Sequence, residues 1–194
     1  MKWVGNEINT GLVWAYTTFG AVGVGILGLF YSPIVITGLH QSFPTIETSL
    51  LSNIAQTGGS FIFPVAAMAN VAQGGATLAM SLLQRDKEAK SVSLSAGISV
   101  LLGITEPAIF GVNLRHKFPF FIAVVASGIA TVFIGYFHVL AIALGSAGVI
   151  GFISIALQSI VAFLFGVVIS LVISFIATYA YGYMHMRKTK GENG

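Results

Sequence analysis

Within residues 101–112, LLGITEPAIFGV, a carboxylate and a proline stand side by side as Glu106 and Pro107. Proline lacks a backbone N–H and disfavours helix at the residue before it, so Glu106 is expected at a helix break. Backbone carbonyls and amides released from helical pairing then lie beside it. A second polar interruption, SPIVITGLHQSFPTIETSLLSN (residues 32–53), is bounded by Pro33, broken by Pro44, and carries His40, Gln41 and Glu47. These side chains suit a polyol. A carboxylate accepts two hydroxyl hydrogen bonds, and a threonine hydroxyl, amide or imidazole gives or takes others. No His/Glu pair has helical ligand spacing, so no metal is expected; no cofactor is expected either. The absence of cysteine excludes disulfides, thiolate ligands and a phosphocysteine within these 194 residues.

The setting makes both interruptions costly. Hydrophobic residues make up 56% of the chain and charged ones 8%, against about 25% charged in a soluble domain. Lipid must solvate most of the surface, and an all-α integral membrane protein follows. Its net charge of +3 is gathered in short clusters between apolar runs, which orient a membrane chain and do not point to nucleic acid. The start, MKWVGNEINTG, does not read as a signal peptide, because the apolar run after it has the length of a full span. Burying a carboxylate costs several kcal/mol unless it is hydrogen-bonded. An ionisable residue at membrane depth is therefore a functional-site hypothesis, and interrupted apolar segments point to a transporter's binding site.

The elements that must position these residues can be read in order. Residues 12–31 form an uncharged span with a small-residue step at Ala21 and Gly25 and aromatic ends at Trp14, Tyr16 and Tyr31. Residues 32–53 are expected to be re-entrant or cavity-lining. Residues 58–83 make a weaker span, and RDKEAK (85–90) reads as a solvated loop. Residues 118–137 and 159–183 are good spans, with a small-residue-rich apolar run at 139–157 between them. The membrane domain is expected over residues 1–183, followed by a basic cytoplasmic tail, 184–194. Bases near span ends mark the cytoplasmic side. If both 85–90 and 115–117 lie there, the stretch carrying Glu106 enters the membrane and returns without crossing.

Other readings compete. Pro107 could merely kink a spanning helix while Glu106 pairs with a base, and His40 could be a hydrogen-bonded structural histidine. His138 reads as interfacial, and His116 and His185 lie in basic loop and tail segments. Composition and spacing lead to a transporter-like chain with a polar site in broken helices.

The stretch GITEPAIFGVNLRHKFPFF resembles the signature of the membrane-embedded sugar-transporting subunit (EIIC) of the bacterial phosphotransferase system, glucose superfamily. SPIVITGLHQSFPTIETSLL and FPVAAMANVAQGGATLAM, in order and suitably spaced, resemble its sucrose-type branch, which also includes trehalose and beta-glucoside enzymes. The resemblance covers residues 10–180. It implies an EIIC-type fold with re-entrant segments in a bacterial cytoplasmic membrane, crossed several times. It implies that Thr105 and Glu106 contact the sugar, that His40 belongs to the sugar site, and that Gln41 and Asn113 neighbour it. It implies uptake of sucrose or a related disaccharide coupled to phosphorylation, with the phosphoryl group coming from a IIB cysteine on another chain and IIA upstream. The complete membrane component would be a homodimer, of which this chain resembles the carboxyl-terminal half. The alternatives are a remnant that does not transport and a secondary sugar transporter using Glu106 and His40 as a relay.

Overall fold

In the computed structural model, which describes residues 19–185 with their side chains, the apolar runs become helices gathered around one central post. Helix α1 (Lys2–Thr37) is kinked at Gly20, whose φ of 50° lies outside the helical region. The expected boundary at Pro33 is not there. The proline sits inside α1, which continues to Thr37 and stops where Gly38 turns into the left-handed region at φ 79°. Proline forfeits one helical hydrogen bond, whereas a glycine at positive φ ends the ladder. A 3₁₀ turn (Leu39–Ser42) then leads into α2 (Phe43–Ser52) and α3 (Ile54–Thr57). Pro44 opens α2 rather than breaking it, since a first-turn N–H has no helical partner to lose. Trp14 and Tyr16 lie outside the described residues.

Helix α4 (Ile62–Leu83) is the post. Almost every residue of it is buried, and the other long helices pack on it. Its weak apolar signal has a physical cause: Ala66, Ala69, Ala72, Gly74, Gly75 and Ala76 face protein, so close approach matters more than hydrophobicity. The next helix, α5 (Lys87–Leu101), starts inside the run expected to be a loop. Asp86 caps it by accepting from the Ala89 amide at 2.8 Å, so residues 87–90 form its first turn.

Two further spans complete the bundle, α8 (Phe118–Tyr136) and α9 (Ile160–Gly191). Four helical stretches among the described residues are long and apolar enough to cross a membrane: Phe19–Thr37, Ile62–Leu83, Phe118–Tyr136 and Leu157–His185. The Ala21–Gly25 step is where α1 meets α8. A Cβ on Gly25 would strike Val132, and one on Gly135 would lie 2.9 Å from the Ala21 backbone. These pairings, with Ser127 Oγ donating to the Gly28 carbonyl at 3.1 Å, make α1 and α8 antiparallel. Helices α4 and α9 run parallel, joined where Ser170 donates to the Met68 carbonyl at 2.7 Å and Ser174 to that of Ala72 at 2.5 Å. Between α8 and α9 the chain is irregular. Isolated bridges pair Ser60 with Ala141 and Ala141 with Ile155, and 3₁₀ turns cover Val149–Ser154 and Leu157–Ser159.

The ends of these helices settle the path of the Glu106 stretch. One cavity is lined at once by Leu83 and Arg85 at the end of α4, Arg115 and Phe118 at the start of α8, and Gly182 and His185 on α9. Both base clusters therefore lie at the same end of the bundle, and residues 91–112 leave that end and come back to it.

Candidate functional site

The return is built from a helix, a glycine turn and a second, irregular helix. Helix α5 ends in a paired cap: the Ile104 amide donates to the Ser99 carbonyl and the Gly103 amide to that of Val100, both at 3.0 Å. Gly103 takes φ 101°, the left-handed conformation this cap requires, and a Cβ there would also strike Ser146 Oγ. Helix α6 (Glu106–Ala108) follows, with Glu106 and Pro107 in its first turn, and continues through a π-helical turn (Ile109–Asn113) into α7 (Leu114–His116). Pro107 thus opens a helix. The kinked-span alternative does not hold, and Glu106 has no ion pair or side-chain hydrogen bond among the described residues.

The tip lies deep. Gly97 of α5 abuts Leu78, while Leu101 abuts Gly74, so α5 runs antiparallel to α4 and ends near Asn70. Asn70 Nδ2 donates to the Ala147 carbonyl at 2.6 Å, and Ser146 Oγ to that of Leu102 at 2.5 Å. From Leu83 to Asn70, at about 1.5 Å per residue, the tip sits roughly 20 Å along a hydrocarbon core of about 30 Å. Glu106 is exposed at this depth and Thr105 half-buried, at the amino end of a helix whose unpaired amides favour an anion.

Asn113 occupies the opposite end of the π turn and is fully buried. Its Nδ2 donates to the Gln73 carbonyl at 3.0 Å and to Gln73 Oε1 at 2.7 Å, and its Oδ1 accepts from Thr77 Oγ1 at 3.0 Å. Gln73 Nε2 is buried without a hydrogen-bond partner among the described residues. A π turn carries one extra residue per turn, and such bulges gather at functional sites. Here the Asn113–Gln73–Thr77 set fixes the return helix against α4. Gln73 and Thr77 are additions to the sequence reading. The signal for them was a glutamine beside Gly74 and Gly75 in an otherwise apolar helix.

The second interruption holds His40 and Gln41. Gln41 Nε2 lies 3.3 Å from His40 Nε2, and His40 Nδ1 is buried with no hydrogen-bond partner among the described residues. The turn lies where α1 ends. Tyr31 and Phe43 rings pack at 5.6 Å, and Val35 shares its core cluster with Phe120 near the start of α8. Glu47 is buried and accepts from Ser60 Oγ at 3.3 Å. The structure brings Thr105, Glu106 and Asn113 onto one hairpin and leaves His40 and Gln41 on another. No hydrogen bond joins the two sets among the described residues. Helix α4 packs against both α2 and α6, and Phe43, Ile46 and Leu50 of α2 share a core cluster with Ile109 of the return helix.

Comparison with known proteins agrees with this architecture. The family model described as "Phosphotransferase system, EIIC" matches residues 1–128. The chain is 56% identical over 193 residues to the sucrose-specific EIIBCA component of Pediococcus pentosaceus, covering all of this chain and 29% of that protein. It is 54% identical over 157 residues to the sucrose-specific EIIBC component of Staphylococcus xylosus, covering 80% of this chain and 33% of that protein. It is 46% identical over 178 residues to the trehalose-specific EIIBC component of Bacillus subtilis, covering 92% and 37%. The chain therefore spans about a third of the length of these curated relatives. No solved structure matches it. With that family match over residues 1–128, more than half of its length, and spans and a hairpin to fit it, the chain belongs to the EIIC family of the phosphotransferase system.

Proposed function

We propose that this chain is the sugar-binding and translocating part of a permease that takes up sucrose, or a closely related disaccharide, and couples uptake to phosphorylation. The observation that carries the reading is Glu106: a carboxylate at membrane depth, exposed, without an ion pair among the described residues, at the amino end of a helix. A group placed so in a bilayer needs a polar ligand or water to offset its desolvation. Sugar hydroxyls donate well to a carboxylate, and Thr105 can give or take one more bond. Sucrose is favoured over trehalose by the names of the relatives alone.

In this reading Thr105 and Glu106 hold the sugar, and Asn113, tied to Gln73 and Thr77, positions the helix that carries them. His40 offers a ring nitrogen, Nδ1, from the neighbouring hairpin, with Gln41 against its other ring nitrogen. The phosphoryl donor is a IIB phosphocysteine on another polypeptide or domain, charged by IIA. In the transfer the S–P bond breaks, an O–P bond forms to a sugar hydroxyl, and the hydroxyl proton leaves to Glu106 or to water. Most of the catalysis is positioning. The setting is the bacterial cytoplasmic membrane. Pairing of the complete membrane component as a homodimer belongs to the same reading and rests on the resemblance.

The test is uptake of labelled sucrose into cells that express the chain with its IIB and IIA components and lack other sucrose systems. Label recovered as sucrose phosphate, independent of the proton gradient, is the expected result. Free sucrose accumulating only while the proton gradient is intact would overturn the reading.

A further inference from the structure

A cavity of about 510 Å³ opens at the end of the bundle where the base clusters gather, away from the Glu106 tip. Its walls are mostly apolar, formed by Met80, Leu83, Val92, Val112 and Phe118. Its rim is cationic. Arg85 and Arg115 both line it, against the single carboxylate of Asp86, and that carboxylate is engaged in capping α5. His116 lies on the rim too. Burial and the neighbouring Arg115 push its imidazole below the usual value, so it adds no charge at neutral pH. The permanent positive charge comes from the two arginines.

The depth of this cavity is marked independently. Phe118 packs on Tyr181 at 5.0 Å, Tyr181 stacks with His185 at 6.1 Å, and Tyr179 stacks with Tyr183 at 6.1 Å. Aromatic rings gather at the headgroup level of a bilayer, where one side of the ring is apolar and the other wet. A cleft at that level, apolar inside and doubly cationic at its mouth, matches a molecule with a hydrocarbon tail and an anionic head. A soluble phosphate would find two guanidinium groups but would leave the apolar walls unused.

We infer that this cavity binds an anionic phospholipid, with the phosphodiester held between Arg85 and Arg115 and an acyl chain laid against Met80, Val92 and Val112. Basic residues at the membrane surface each strengthen anionic-lipid binding severalfold, so two of them predict a preference of about tenfold to thirtyfold over a zwitterionic lipid.

The experiment uses the full chain, purified in detergent and analysed by native mass spectrometry after equilibration with equal amounts of dioleoyl phosphatidylglycerol and dioleoyl phosphatidylcholine. Wild type is expected to retain phosphatidylglycerol at about tenfold or greater preference. The double variant Arg85→Gln/Arg115→Gln is expected to lose the preference, and Arg85→Lys/Arg115→Lys to keep most of it. Val92→Trp, which fills the cavity from its wall and leaves the charges in place, is expected to reduce retention of phosphatidylglycerol. Equal retention of the two lipids by wild type, or a preference undiminished in both Arg85→Gln/Arg115→Gln and Val92→Trp, would overturn the site. Displacement of phosphatidylglycerol by millimolar inorganic phosphate would also overturn it, and would identify a soluble anion as the occupant.

Discussion

Asn113 spends both hydrogens of its side-chain amide on Gln73, one on the carbonyl at 3.0 Å and one on Oε1 at 2.7 Å, joining residues 40 positions apart. The pair is buried, so losing it leaves unsatisfied groups inside the protein. Asn113→Leu is expected to destabilise the chain by about 1–3 kcal/mol, read as a lower melting temperature in detergent. In a double-mutant cycle with Gln73→Leu, the two losses should fall short of additive by about 0.5 kcal/mol or more. Additive losses would mean the two residues do not hold one another.

The close approach of α4 to α9 gives a second expectation. A Cβ on Gly75 would lie 2.7 Å from the Leu171 carbonyl oxygen, which is backbone and cannot swing away. Gly75→Ala should cost about 1–3 kcal/mol through forced separation of the helices. Gly111→Ala, where the added methyl meets nothing within 4 Å, should stay within about 0.5 kcal/mol. Equal melting temperatures for the two variants would contradict the packing.

The path of the hairpin is open to labelling, because the native chain has no cysteine to remove. Single cysteines placed at Glu88 and at His116 should react with an impermeant maleimide from the same side of the membrane, and one at Gln158 from the opposite side. Labelling of positions 88 and 116 from opposite sides would show that the intervening stretch crosses.

Much of this was legible in the sequence where a single physical rule dominated. The spans followed from length and hydropathy, and the break at Glu106 from the proline beside it. The base clusters at 85–90 and 115–117 forecast the return of the hairpin to the end it left. What escaped depended on partners distant in sequence. Pro33 read as a boundary because its cost is local, while the packing that carries α1 past it is not. The residues after Arg85 read as a loop because their charge hid the Asp86 cap. Gln73 has a role only once Asn113 is placed opposite it, and the π turn that places it leaves no mark in composition. The candidate site was legible as two polar interruptions; that they lie on separate hairpins, both packed on α4, was not.

Glu106 itself is exposed and has no ion pair among the described residues, so replacing it should leave the fold alone. Glu106→Gln is expected to keep its melting temperature, with a change within about 0.5 kcal/mol. Unfolding of this variant would mean that the carboxylate serves the structure instead of a ligand.

The most direct measurement is equilibrium binding of labelled sucrose to the chain and to Glu106→Gln, both in nanodiscs and both with the remaining components of the permease present. A hydrogen bond to a charged group contributes about 1.5–3 kcal/mol, so binding is expected to be at least about tenfold weaker in Glu106→Gln with the protein still folded. Equal affinity in the two would contradict it and would remove the carboxylate at the hairpin tip from the sugar site.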